Sequence, residues 1–260
     1  MNTPPSVFDD SIDRWLAEND LPWMKFKTEI GLSNLRKHLP GKSLRILDAG
    51  GGSGGDSIPL AREGHHVDLL DYSTEMLKVA GEDATRAGLL EKIRFHQSDV
   101  SDLERVFPRP EFDVVVCHNV LQFTGNAQSL LGNLANTLVA GGILSLISGN
   151  RYTIPYRAAF YSKDLDEAFR RIDARTYPHV LFKTTVTEYS AEEIKEMLPG
   201  AGLAFDAQYG IRCLADYWGD TETKTKPEVR AKLEKLEYAL TGRYPYNLLA
   251  RFWQIIARKG

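Results

Sequence analysis

Cysteine is almost missing from this chain: Cys117 and Cys213 are the only two in 260 residues, and each sits inside an apolar, strand-like run. That excludes a disulfide framework, and both read as buried structural thiols of a reducing compartment. The six histidines show no metal-ligand spacing among themselves or with the cysteines, so no metal site is expected. No apolar run reaches the roughly 18 residues that a membrane-spanning helix needs. Asp9, Asp10, Asp13, Glu18 and Asp20 near the start speak against a signal peptide, which predicts a cytoplasmic protein with no membrane partner. Internal repeats, low-complexity segments and long charged tails are also lacking. A net charge of −3 conceals a small asymmetry: residues 151–260 hold 18 Lys and Arg against 15 Asp and Glu, net +3, which leaves −6 for residues 1–150. That bias suits an anionic substrate and equally lies within ordinary scatter.

What is present is apolar residues, 43% of the chain, enough for one large α/β domain with a modest appendage. Phe8, Ile12, Trp15 and Leu16 fall on one helical face behind a capping-box-like Ser6 and Asp9. A second helical pattern runs through Ile30, Leu35 and Leu39 until Pro40-Gly41 stops it, so residues 1–40 read as an N-terminal helical cap. Residues 41–260 then alternate short apolar runs with helices. Strands are expected at Leu44–Asp48, Val67–Asp71, Ile93–Gln97, Phe112–His118 and Ile143–Ser148. Helices are expected at Asp56–Gly64, Ser73–Ala87 and Gln128–Leu138, the last ended by Ala140-Gly141-Gly142. This rhythm predicts a doubly wound, mostly parallel sheet covered on both faces. Residues 150–189, rich in aromatic and basic side chains, read as a partly helical insertion over the carboxyl ends of the strands, where open α/β sheets bind ligands. Ser190 with Glu193 starts another helix, Pro227–Leu240 is a further one, and Leu203–Leu214 and Leu248–Arg258 read as two late strands.

The chemistry concentrates where the first strand meets its helix, at Asp48-Ala-Gly-Gly-Gly-Ser-Gly54. Glycines there allow a tight turn and let backbone N–H groups approach a ligand. Gly50, Gly52 and Gly55 also satisfy the dinucleotide pattern, so the glycines alone do not choose a ligand. Asp48 does: a carboxylate at that point repels a pyrophosphate and attracts the ammonium of a methionyl group. Asp71 ends the second strand about twenty residues on, where an acid accepts ribose hydroxyls in either kind of nucleoside site. Tyr72 and Met76 are placed to flank an adenine, although Met76 reads equally well as core. Ser98-Asp99-Val100 ends the third strand, where a carboxylate can accept from the adenine amino group. His118 and Asn119 end the fourth, beneath the expected cofactor centre, and are candidate catalytic or methionyl-contacting residues. No sequence neighbour identifies itself as an orienting partner for His118.

In this order the motifs resemble class I S-adenosylmethionine (SAM)-dependent methyltransferases over nearly the whole chain. Asp48–Gly54, Asp71, Asp99 and Phe112–Leu121 match that family's first four motifs, and Leu138–Leu146 its next, with Ala140 where proline is usual. The resemblance implies a seven-stranded Rossmann-like sheet with an antiparallel C-terminal hairpin, SAM as cofactor and methyl transfer as activity. A narrower likeness exists to the bacterial tRNA 5-carboxymethoxyuridine methyltransferase group. Its carriers are Leu44–Gly52, Gly141–Asn150, Tyr209–Tyr217, Leu233–Glu237, Tyr244-Pro-Tyr246 and Ala250–Lys259. That group methylates a wobble-base carboxylate and sets an arginine against the SAM carboxylate. Lys27 occupies the matching position here, keeping the charge but losing the bidentate geometry.

Sulfonium is already an activated leaving group, so such a protein mainly aligns donor and acceptor. An anionic acceptor needs no base, in keeping with the lack of an evident catalytic dyad. Arg151, Arg157 and Arg212 are candidates to hold an anionic acceptor, and Tyr189 and Tyr209 to wall its pocket. A tRNA acceptor predicts a basic patch beside the cofactor mouth, whereas a small-molecule acceptor predicts an apolar pocket closed by residues 150–189. No oligomeric interface is legible.

Overall fold

The computed structural model describes residues 24–260, apart from Lys42, Val180 and the side chain of Thr221, together with Asp9, Ile12, Arg14 and Ala17. The first expected helix, through Phe8, Trp15 and Leu16, therefore lies outside the described residues. The second expected helix is α1 (Phe26–Arg36).

From there the chain winds a single seven-stranded sheet. Its strands are β1 (Arg45–Ala49), β2 (His66–Asp71), β3 (Ile93–Gln97), β4 (Phe112–His118), β5 (Leu138–Gly149), β8 (Leu203–Ile211) and β9 (Phe252–Lys259), in the order β3-β2-β1-β4-β5-β9-β8. The first five are parallel, while β9 runs antiparallel to both β5 and β8. Helices α2 (Ser57–Arg62), α3 (Thr74–Arg86), α4 (Leu103–Val106) and α5 (Ala127–Thr137) supply the crossovers. Three of the expected boundaries rest on side-chain caps. The Ser73 hydroxyl accepts from Met76 N, the Asn126 side chain accepts from Ser129 N, and Ser190 with Glu193 forms a full capping box at α8 (Ala191–Met197).

Alternation in β4 shows why the sheet needs cover on both sides. Val114 and Val116 face α1, α2 and α3, while Val115 and Cys117 face α4, α5 and α8; all four are fully buried. Chain order reverses between β1 and β4, which opens a crevice at the carboxyl ends of those two strands.

Two expectations change. The Ala140-Gly141-Gly142 stretch does not end the helix in a loop, because β5 already begins at Leu138. Phe112 pairs with Leu138 but Val114 with Ile143, so the intervening residues bulge out of register, with Gly141 at φ 74°. The insertion at 150–189 is only half helical. After α6 (Ile154–Phe160) and α7 (Leu165–Arg170) it forms a separate antiparallel hairpin of β6 (Thr176–His179) and β7 (Thr184–Thr187). The β-branched run Thr184-Thr-Val-Thr187 supplies the extended preference there.

Two C-terminal helices, α9 (Thr221–Thr225) and α10 (Pro227–Leu240), complete the fold. Within α10, Glu237 is completely buried, and its carboxylate accepts the backbone N–H groups of Cys213, Leu214 and Ala215 at 2.6, 2.9 and 2.7 Å. It thereby pins the turn where Arg212, at φ 61°, leaves the sheet. Truncation by Glu237→Ala leaves three buried donors unmatched, so urea unfolding should show a loss of roughly 3 kcal/mol or more. A loss below about 1 kcal/mol contradicts the clamp.

Candidate cofactor and acceptor site

The crevice between β1 and β4 is floored by the glycine turn. Gly50, Gly52 and Gly54 all take positive φ values (77°, 54° and 82°), and a Cβ on Gly50 would stand 2.3 Å from Val120 Cγ2. No side chain fits there. The acid of β2 holds the turn from the side: Asp71 accepts Gly52 N and Ser73 N, both at 2.9 Å. Tyr72 is half-buried, Met76 is 4% exposed, and Ser98 donates its backbone N–H to Asp71 O at 3.0 Å. Asp99 caps the turn that contains Val100 through Ser101 N. Asp71, Tyr72, Met76, Ser98, Asp99 and Val100 thus gather at the carboxyl ends of β2 and β3.

Asp48 lies differently from the expectation. Its carboxylate is 1% exposed and tucked beneath the loop, accepting the Ser57 hydroxyl at 2.6 Å, and a Cβ on Gly51 would lie 2.7 Å from its Cγ. Burial, reinforced by the nearby Asp56 carboxylate, pushes its pKa up to about 8. The carboxyl group thus lies under the turn, against Gly51 and Ser57.

His118 has the partner that its sequence neighbours did not reveal. Nδ1 lies 2.8 Å from Asp56 Oδ2, on the residue that follows the glycine turn, and Nε2 lies 2.9 Å from Ser145 Oγ on β5. The Gln254 amide on β9 donates to that same Ser145 hydroxyl at 3.0 Å, which directs the serine hydrogen to Nε2 and leaves Nδ1–H for Asp56. With both ring nitrogens engaged, His118 orients a carboxylate and has no nitrogen left for an acceptor's proton. Asn119 follows at φ 62°. Three buried side-chain oxygens here, Asp56 Oδ1, Ser98 Oγ and Asn119 Oδ1, have no hydrogen-bond partner among the described residues. These open acceptors ring the crevice and suit a ligand with several polar groups, as SAM has.

A second cluster stands at the neighbouring ends of β5, β9 and β8. The Phe252 ring has Lys27 at 5.7 Å, Arg212 at 5.4 Å and Arg251 at 4.5 Å from its centroid. Arg212 is paired with Asp216, which also accepts the Tyr161 hydroxyl at 2.9 Å. Arg157 is 3% exposed, lies 3.9 Å over the Tyr177 ring of the β6–β7 hairpin, and shares the buried Glu188 with Arg251. Two of its donors, Nε and Nη1, are buried without a partner. Burial, then repulsion from Arg251, pulls Arg157 down to about 10, which leaves it charged at neutral pH. His179 is driven to about 4 by burial, then by Arg251, with Lys27 and Arg157 adding to the effect, so it is neutral. It stacks on Phe182 at 4.9 Å and meets Phe123 at 5.6 Å, which fastens the hairpin over the end of β4.

The structure thus brings together Lys27, Arg157 and Arg212 of the expected cations, and adds Arg251. It does not bring in Arg151, or the expected pocket walls Tyr189 and Tyr209. Arg151 pairs with Glu193 at 3.1 Å, at the start of α8. The Tyr189 backbone carbonyl accepts the Trp253 indole at 2.8 Å, and its side chain packs on the core. Tyr209 bonds His38 at 2.8 Å on the α1 side of the sheet, with Lys37 over its ring, and does not wall the acceptor cluster. Asp56, Glu188, Arg251 and Phe252 were missed, because each depends on a partner from a distant part of the chain. Among the described residues, no group of three or more His, Cys, Asp and Glu is arranged to hold a metal ion, and no helix is long and apolar enough to cross a membrane.

A family model described as a methyltransferase domain matches residues 40–198. The tRNA 5-carboxymethoxyuridine methyltransferase of Escherichia coli (strain K12) is 28% identical over 220 residues, covering 84% of this chain and 81% of that protein. A ubiquinone biosynthesis O-methyltransferase of Rickettsia akari is 27% identical over 177 residues, 67% of this chain and 66% of its own. Of solved structures, a SAM-dependent methyltransferase from Mesorhizobium loti superposes with a TM-score of 0.57 at 17% identity, covering 88% of this chain and 98% of that one. The magnesium protoporphyrin IX methyltransferase of Synechocystis PCC 6803 with bound SAM gives 0.54 at 16% identity, covering 92% and 79%. With the glycine turn, the strand order and the antiparallel β8–β9 pair in place, this chain belongs to the methyltransferase domain family and is a SAM-dependent methyltransferase.

Proposed function

We propose that the methyl group goes to a carboxylate, presented by a modified uridine in the wobble position of a tRNA. One observation carries the choice of an anion: Lys27, Arg157, Arg212 and Arg251 converge at the ends of β5 and β9, beside the crevice, and Arg157 keeps two buried donors open. An arginine with open buried donors is suited to an anion, which takes a hydrogen bond from it and offsets the local positive charge. The tRNA nucleotide as its carrier is supported by the name of the E. coli relative, with which the chain aligns over most of its length.

When bound, SAM supplies a methyl on a positively charged sulfur. The chain's residues hold the two reactants in line. Gly50–Gly54 and Asp71 take the nucleoside end, with Tyr72 and Met76 at the base and Ser98, Asp99 and Val100 beyond it; His118 and Asn119 lie below the methionyl portion, and Lys27 is placed for its carboxylate. Residues 150–189 cover the acceptor side, and Arg157 and Arg251 orient the acceptor carboxylate. With SAM bound, an oxygen of that carboxylate would take the methyl as the carbon–sulfur bond broke, its electron pair left on sulfur. An anion and a cation become a neutral ester and a neutral thioether, so no proton moves and no base is required.

A second reading has a specific observation behind it. An apolar cavity of about 420 Å³ lies between α6 and α10, lined by Tyr156, Phe160, Leu214, Tyr217, Leu240 and Tyr246 among others. It is large enough for a small aromatic acid.

Incubation with methyl-labelled SAM and either undermodified bulk tRNA or a panel of aromatic acids separates the two. Label in tRNA that mild alkali releases marks a methyl ester on the nucleotide; alkali-stable label refutes the carboxylate, and label only in the acids moves the acceptor to the cavity. Arg157→Lys and Arg157→Ala should lower kcat/KM for the tRNA by roughly tenfold to a hundredfold while leaving SAM affinity unchanged. The Lys27 pKa is lowered to about 8, first by burial and then by Arg212, with Asp56 opposing. Its charge is present below that pH and lost above it, so SAM affinity should be flat to about pH 8 and then decline. Lys27→Arg should remove the decline, since guanidinium stays protonated; a decline that persists assigns it to another group.

A further inference from the structure

Three carboxylates surround the glycine turn, and they are not equivalent. Asp48 lies under the backbone with the Ser57 hydroxyl on one oxygen. Asp71 uses one oxygen on Gly52 N and the other on Ser73 N. Asp56 has Oδ2 on His118 and Oδ1 buried with no partner.

We infer that Asp56 binds the ammonium of the cofactor's methionyl end, and that Asp56 and Lys27 together form a cradle for an amino-acid zwitterion. The inference rests on the SAM reading above and names the side chain that selects this end of the molecule.

Helix α1 brings the two halves of the cradle together. Thr28 Oγ1 is 4.0 Å from the Cβ position of Gly55, and Gly31 stands in the same relation to His118 Cε1. Lys27 is therefore carried on the turn of α1 that lies over Gly55-Asp56. The two charges act on each other, yet among the described residues the ion partner of Asp56 within 4.0 Å is His118. A zwitterion laid between them satisfies both, with its ammonium on Oδ1 and its carboxylate on Lys27. The Asp56 carboxylate is also held in place. His118 donates to it, Ser145 fixes His118, and Gln254 bonds Ser145 at 3.0 Å and Gly31 O at 2.9 Å, which ties this carboxylate back to α1. A side chain held through four residues loses little freedom when the ligand arrives. Glycine conformation alone gives no such discrimination, since a dinucleotide loop shares it.

Three ligands separate this role from a structural one: SAM, S-adenosylhomocysteine, and 5′-methylthioadenosine, which keeps the nucleoside and thioether but lacks the amino-acid end. By titration calorimetry, Asp56→Asn should weaken SAM and S-adenosylhomocysteine by tenfold or more and leave 5′-methylthioadenosine within about twofold. Asp48→Asn should not separate the two amino-acid ligands from 5′-methylthioadenosine, because that side chain lies beneath the loop on the Ser57 hydroxyl. Equal loss of all three ligands in Asp56→Asn, wild-type affinity for SAM in that variant, or selective loss of the two amino-acid ligands in Asp48→Asn would each overturn the assignment. Failure of the unaltered protein to bind any of the three rejects the SAM reading itself, a result distinct from those.

Discussion

A row of polar side chains crosses an otherwise apolar sheet face, and the upper end of the molecule depends on it. His118, Ser145 and Gln254 stand on adjacent strands β4, β5 and β9, all on the side that packs against α1. Gln254 and Ser145 are fully buried, so each group must find its bonds inside the protein. They do so by spanning layers: Asn34 of α1 donates to Gln254 Oε1 at 3.1 Å and to Thr241 Oγ1, at the end of α10, at 2.9 Å. Three apolar residues could have filled the same space, but they would let α1 settle wherever packing was best. The hydrogen bonds fix it against the sheet, and Lys27 with it. Close approach helps, since a Cβ at Gly31 would come within 2.8 Å of Ile147 Cδ1.

Charges at the sheet's top follow from the same economy of space. Four cations and the acids Glu188 and Asp216 are crowded where water has little access, and each acid serves more than one partner: Glu188 takes Arg157 and Arg251, and Asp216 takes Arg212 and Tyr161. Aromatic faces share the load, Phe252 beneath three cations and Tyr177 beneath Arg157. A group of this kind is positive without being exposed, and a neutral His179 adds no further charge to it. It suits one desolvated anion inserted among fixed dipoles and charges better than broad attraction to a polyanion surface.

Much of the fold was legible because periodicity and capping are local. Ile93–Gln97, Phe112–His118 and Pro227–Leu240 have the expected bounds, and Ser73 and Ser190 cap as their spacing suggested. The failures are those of local reasoning as well. Gly141-Gly142 carries the same turn signal in a bulge as in a loop, and only pairing with Phe112 and Val114 tells them apart. The β6–β7 hairpin sits among aromatic and basic residues whose spacing also fits helices. The expected strand-end residues gather in one place because the parallel sheet puts strand ends together. Arg151, Tyr189 and Tyr209 lie outside the cation cluster because residue type does not show which way a side chain points. Asp56 and Glu188 were invisible because their value lies in His118, Arg157 and Arg251, far away in sequence.

Asp48 shows how an electrostatic preference depends on where a carboxylate lies as well as on its place in a motif. The charge argument needs a carboxylate that is ionised and facing the ligand. The last residue of a buried parallel strand has neighbours on both sides, and the glycine turn that follows must fold back over it. Position alone therefore buries Asp48, burial favours its protonated form, and Asp56, eight residues further on, makes a second charge there costlier still. The two nearby acids divide the work: one supports the turn through Ser57, and the other keeps an oxygen open with His118 beside it. A glycine-rich turn with an acid on each side is thus better read for which of the two has an unfilled oxygen than for which comes first in the motif.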